Sequence, residues 1–204
     1  MVPVLFANRG QPSAYAGIGV TVMVAFTLLP QWLQFDFRVD IDRVDVLKGL
    51  PISGWAVVLG ELAAPVLVAS AAQLLMLALL GFLQGQLAAA WVIAAFLVPP
   101  GNLVVFGIEN LFFLLFPFRP VQLGTGDLQS VGRQMLLGLV RLLVMMLAGG
   151  VSAGVGALAW LTTGKSLVAF AAGTAATLTA CGAALVPLIA LIYRRFDPAL
   201  HVPP

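Results

Sequence analysis

The sequence predicts an all-α fold: a polytopic membrane helix bundle of about five transmembrane helices, with an amphipathic helix in the loop between the first two. Three observations predict it. Of the 204 residues, 61% are hydrophobic and only 9% charged, whereas a soluble domain normally carries about 25% charged residues. The apolar runs are roughly 20 residues or longer, enough to cross a ~30 Å hydrocarbon core as helices. They are also continuous, without the period-two alternation of a transmembrane barrel.

The spans follow in order. The first covers about 14–33 and ends near Pro30. The second covers about 55–83, long enough to tilt or to extend past the bilayer. The third runs over about 87–116 and contains Pro99-Pro100-Gly101. A double proline removes two backbone donors and disfavours helix before it, which predicts a span kinked or broken at 99–101. A short re-entrant pair is the alternative. The fourth covers about 134–161 and the fifth about 167–193. No repeat, low-complexity linker or second domain interrupts them, so the chain reads as one transmembrane domain over 1–204.

Residue counts exclude several functions. Cys181 is the only cysteine and His201 the only histidine. An internal disulfide, a cysteine-based metal site, a multi-histidine site and a buried Ser–His dyad are all excluded. The net charge of +2 comes with no basic patch, so nucleic acid is not an expected partner. The start lacks the basic n-region and short apolar stretch of a cleavable signal peptide.

Orientation is read from the short loops. One side holds seven basic residues: Arg38, Arg43, Lys48, Arg119, Arg133, Arg194 and Arg195. The other holds two, Arg9 and Lys165. The basic side should face the cytoplasm, with the C-terminal tail and segment 36–53 inside. An outside N-terminus on five spans implies a further span before it, as in the C-terminal part of a longer protein or a chain begun at an internal methionine.

Segment 36–53, DFRVDIDRVDVLKGLPIS, holds seven of the 18 charged residues. Charge this dense cannot lie in hydrocarbon, so the segment projects into water. Phe37, Ile41, Val44 and Leu47 recur at spacings of four, three and three, one face of an amphipathic helix. Arg38–Asp42 is an i,i+4 pair, and Asp40–Arg43 and Asp45–Lys48 are i,i+3 pairs. Gly49 and Pro51 stop the helix, and Ser53 can cap the next. On physics alone the segment is either a headgroup anchor or a docking surface for a soluble partner.

The run Arg43-Val-Asp-Val-Leu-Lys-Gly-Leu-Pro-Ile-Ser, followed by Val57-Val-Leu-Gly-Glu-Leu, resembles the coupling segment of ABC-2 type permeases. Two further stretches are similar to the C-terminal half of bacterial exporter membrane subunits of that family. One is Asn102-Leu-Val-Val-Phe-Gly-Ile-Glu-Asn-Leu-Phe-Phe-Leu-Leu-Phe-Pro, and the other is Tyr193-Arg-Arg-Phe-Asp-Pro. Glu61 stands where Lys or Arg often follows the Leu-Gly in that family, and the first span of a usual six-span unit is absent. The resemblance implies a multi-pass permease subunit of an ATP-driven exporter in the bacterial inner (cytoplasmic) membrane. A separate nucleotide-binding ATPase subunit, carrying ATP and Mg, would dock on Asp42, Arg43, Asp45, Lys48, Leu50, Pro51 and Ile52. A second permease half or a homodimer would complete the transporter. The chain has no G-x-x-x-x-G-K-[ST] phosphate loop, so no cofactor and no ATPase chemistry are expected in it.

Inside the spans the charges are Glu61, Glu109 and Arg141. Such residues are costly and often functional, or close enough to the interface to snorkel. Counted along their spans, all three sit roughly 10 Å below the same surface. Arg141 is therefore expected to face Glu109 or Glu61 in a polar cluster with Asn110 nearby. Whether that cluster serves substrate entry or only holds the bundle is left open by the sequence. Asn102, Asn110 and Gln73 can bond between helices, and Gly150 and Gly154 form a small-xxx-small pattern for close packing. Phe112, Phe113 and Phe116 read as interface anchors. An ion-coupled secondary carrier is the rival function, suited by the interrupted third span and the intramembrane carboxylates. An intramembrane enzyme using Glu61 and Glu109 is a further rival, but the chain lacks a partner histidine, a paired-aspartate motif and a nucleophile turn.

Overall fold

The computed structural model describes residues 48–49, 51–83, 89–117 and 128–196. Four helices account for nearly all of these: α1 (Gly54–Leu83), α2 (Ala89–Leu115), α3 (Leu128–Thr162) and α4 (Leu167–Arg195). No strand occurs among the described residues. Each helix is long and apolar enough to cross a membrane, and the protein is a membrane protein on that ground. At 1.5 Å per residue the helices are roughly 40–52 Å long, so each must tilt in the bilayer or protrude from it. The first span expected at 14–33, and most of the amphipathic helix expected within 36–53, lie outside the described residues.

Local chemistry fixes where the helices begin and end. The backbone N–H of Ala56 donates to the Ser53 hydroxyl at 3.3 Å, which caps the start of α1. Ser166 caps α4 in the same way, accepting from Ala169 N–H at 3.4 Å. Between α3 and α4 the chain reverses within a few residues. Gly164 and Lys165 both adopt positive φ, 70° and 69°, and Lys165 N–H closes back on Trp160 O at 2.9 Å. Glycine takes that backbone at no steric cost, while the lysine beside it is held by the closing hydrogen bond. A turn this short forces α3 and α4 to run antiparallel.

The sequence predicts a kink or break at 99–101, and the break does not occur: α2 is a single helix that contains Pro99 and Pro100. Pro65 and Pro187 likewise sit inside α1 and α4. Burial on more than one side supplies the physical reason. Val98, Asn102, Val104 and Phe106 pack against neighbours through this region, and packing of that kind offsets the lost backbone bonds.

α2 and α4 form the centre of the bundle. α1 and α3 each pack on that pair from different sides and barely meet one another. α1 buries a stripe at helical spacing: Val58, Leu62, Pro65, Ala69, Gln73 and Leu77. α2 buries two faces. Phe106 and Phe113 join Val58, Leu62, Ile189 and Tyr193, whereas Val104, Ile108 and Phe112 pack toward Met145, Ala148 and Cys181. Phe112 and Phe113 are thus core residues, not interface anchors, and Phe116 alone of that trio is exposed.

α3 is the loosest member. Only Ser152 and Gly156 are buried among its described side chains. It reaches α4 by close approach of small residues, because a Cβ on Gly173 would lie 3.2 Å from Gly156 Cα and 3.2 Å from Ala159 Cβ. The expected contact at Gly150 and Gly154 is not the one used among the described residues, where a Cβ on either meets nothing within 4 Å. Lipid tails are as apolar as leucine, so burial alone contributes little to helix association here. Close packing and polar contacts between helices decide the arrangement.

Candidate functional site

Polar side chains gather at three places, each set by a pair of helices. We call the end of the bundle that holds Gly54, Leu115 and Arg195 the base.

The first place joins α2 to α3. Glu109 lies about six residues before α2 ends and Arg141 about six residues into the apolar stretch of α3, both roughly 9 Å from the base at 1.5 Å per residue. Arg141 Nη1 and Glu109 Oε2 are 2.6 Å apart, with about a fifth of each side chain exposed. An N–O separation this short is a charge-assisted hydrogen bond. Each charge neutralises the other at a depth where a lone charge is costly. Asn110 is fully buried one residue further along α2, but its amide donates to the Phe106 carbonyl of its own helix at 2.9 Å.

The second place is uncharged and deeper, between α1 and α2. The Asn102 amide nitrogen donates to Gln73 Oε1 at 2.6 Å and to Ser70 Oγ at 3.0 Å. All three side chains are buried. Asn102 Oδ1 meets no donor among the described residues. Gln73 and Asn102 were legible in the sequence as polar residues inside apolar runs; Ser70 carried no such signal.

The third place is the base itself, where the start of α1 meets the end of α4. Lys48 Nζ donates to the carbonyl of Phe196 and lies over the Tyr193 ring, 5.6 Å from its centroid. A Cβ on Gly54 would sit 3.6 Å from the Arg194 side chain and 3.7 Å from Tyr193, so the two chain segments are in van der Waals contact. Phe113 of α2 completes the group, its ring 6.5 Å from that of Phe196. Glu61, half-buried on α1, acts electrostatically on the Tyr193 phenol.

Of the four residues expected as one intramembrane cluster, Arg141 and Glu109 meet as an ion pair between α2 and α3, and Glu61 is placed to act on Tyr193 at the α1–α4 seam. Of the docking set, Lys48, Pro51 and Ile52 are described and exposed. Asp42, Arg43, Asp45 and Leu50 lie outside the described residues. The contact of Lys48 with α4 is the feature that sequence reasoning missed. Lysine near a helix C-terminus is a recognised signal, but the helix it serves lies 148 positions away. No group of three His, Cys, Asp or Glu side chains comes together to hold a metal among the described residues. The chain matches no family model, no curated protein and no solved structure.

Proposed function

We propose that this chain is the membrane-spanning permease subunit of an ATP-driven exporter of the ABC-2 type, working with a separate nucleotide-binding subunit. The observation that carries the reading is segment 36–53. It is a charge-dense amphipathic stretch ending in Leu-Pro-Ile-Ser, placed directly before an apolar helix whose first turn Ser53 caps. The ATPase docks on the face bearing Asp42, Arg43, Asp45 and Lys48 with Leu50, Pro51 and Ile52 beside it, on the cytoplasmic side of a bacterial inner membrane. ATP and Mg stay on that partner, and a second permease half or a second copy completes the pathway. Four apolar helices whose described charges, Lys165 apart, lie toward one end support the reading, since a soluble motor can act only on the end it reaches.

Affinity purification of the full chain from its native membranes tests it. A polypeptide with a Walker phosphate loop should co-purify, and Asp42→Lys with Asp45→Lys should abolish that co-purification while membrane insertion is unchanged. Unaltered recovery of the ATPase with the double reversal would count against the docking surface. Flux that follows a proton gradient and needs no ATPase would instead identify an ion-coupled carrier.

A further inference from the structure

We infer that Lys48 is a positioning residue that straps the charged segment to the C-terminal end of α4, so that displacement of the segment is delivered to α4 as well as to α1. The inference deepens the exporter reading and rests on it for its purpose, but the strap itself stands on the contacts.

The chain connectivity alone would send any motion of segment 36–53 into α1, the helix that follows it. Lys48 adds a second route. Its ammonium donates to the carbonyl of Phe196, the C-cap residue of α4. A helix C-terminus presents carbonyls without intrahelical partners and carries a partial negative charge, so a lysine there is held both by the hydrogen bond and by the dipole. The same ammonium stands over the Tyr193 ring at 5.6 Å, a cation–π contact that adds to the grip. The α4 end it holds is not loose. Tyr193 and Phe196 are both buried, packed with Val58, Leu62 and Phe113 in the core of the base, and Phe196 N–H bonds back to Ile192 O at 3.0 Å. A pull on Lys48 therefore acts on a rigid end.

α4 is the helix that makes this route consequential. It packs against α1, α2 and α3 alike, whereas α1 barely touches α3. Motion delivered to α1 reaches α3 only through α2 or α4, whereas motion delivered to α4 reaches every described helix directly.

Hydrogen exchange on the full chain in lipid nanodiscs, read by mass spectrometry, tests the strap without reference to any partner. Lys48→Gln removes the charge and should speed exchange of amides over 192–196 on the order of tenfold, the effect expected for loss of a hydrogen bond from a charged donor. Lys48→Arg retains a cation with donors and should restore slow exchange. Exchange over 192–196 that is unchanged in Lys48→Gln, or equal in the two variants, overturns the strap. The second arm is the ATPase. Transport per molecule of ATPase recovered should fall in Lys48→Gln and return in Lys48→Arg. Faster exchange with no ATPase ever recovered leaves the strap in place and removes the exporter reading. Unchanged exchange with the ATPase recovered does the reverse.

Discussion

Replacing Arg141 by methionine should destabilise the bundle more than replacing Arg141 and Glu109 together. The pair sits 2.6 Å apart with about four-fifths of each side chain out of contact with solvent. Removing one partner of a buried pair costs about 3–5 kcal/mol, because the other charge stays behind without compensation. At roughly 9 Å from the base the full penalty does not apply, since a charge at the helix centre costs only about 2.5–3.5 kcal/mol on insertion scales and less toward the interface. A loss of about 2–3 kcal/mol is therefore expected for Arg141→Met, and the same for Glu109→Leu. The double variant leaves no charge to strand and should fall within about 1 kcal/mol of the native protein. The measurement is unfolding of the full chain in mixed micelles by rising SDS fraction, followed by the fluorescence of its four tryptophans. A coupling of at least about 2 kcal/mol should emerge from the double-mutant cycle. If the two single losses simply add, or if each is below about 0.5 kcal/mol, the pair does not hold α3 to α2 and the reasoning fails.

Three further outcomes are expected. Asn102→Ala withdraws the donor shared by Gln73 and Ser70 and should cost about 1–3 kcal/mol in the same unfolding assay, while Asn102→Asp, which sets a carboxylate against Gln73 Oε1 in a buried site, should cost more. Gly156→Ala places a Cβ 2.1 Å from Thr174 Oγ1 and 2.7 Å from the Phe170 carbonyl oxygen, so α3 and α4 must part at a cost of about 1–3 kcal/mol; Gly154→Ala, with nothing within 4 Å, should be neutral or slightly stabilising, and equal losses in the two would sink the close-contact account. In a Cys181→Ser background, a cysteine at Thr163 should react with an impermeant maleimide from outside intact cells and one at Gly49 only after the membrane is opened; labelling of both from the same side would contradict the four-crossing arrangement.

The helices were legible because a membrane span is announced by length and apolarity alone. The runs at 55–83 and 167–193 stand close to Gly54–Leu83 and Leu167–Arg195, and the serines that cap these helices stood immediately before them in sequence. Periodicity carried less. α2 is apolar on all sides, so nothing in its pattern said that it is central or that Phe112 and Phe113 point inward. The prolines at 99 and 100 do not break α2, because a local rule about hydrogen bonding is outweighed by packing from two sides. Gly150 and Gly154 misled for the opposite reason. Their spacing satisfies a pattern that depends on a facing helix, and the facing small residue, Gly173, selects Gly156 instead. The depth of Glu109 and Arg141 could be counted from the ends of their spans, and charge chemistry supplied the motive for pairing. The choice between Glu109 and Glu61 needed to know which helices are neighbours. Lys48 was out of reach for the same reason: its partner is a backbone carbonyl, which no side-chain pattern reveals.

The antiparallel turn at Gly164 and Lys165 has an electrical consequence. Contacts of Lys48 with Phe196, and of Arg141 with Glu109, bring the start of α1, the end of α2, the start of α3 and the end of α4 to one face. Among the described residues that face carries Lys48, Arg133, Arg194 and Arg195, and the opposite face carries Lys165 alone. Orientation in a membrane is set by the basic side chains of short loops and little by the acidic ones. Among the described residues that count is four against one. The turn that reverses the chain at Gly164 thus also sorts its cations, and loss of Lys165 would sharpen the asymmetry while loss of Arg194 or Arg195 would weaken it.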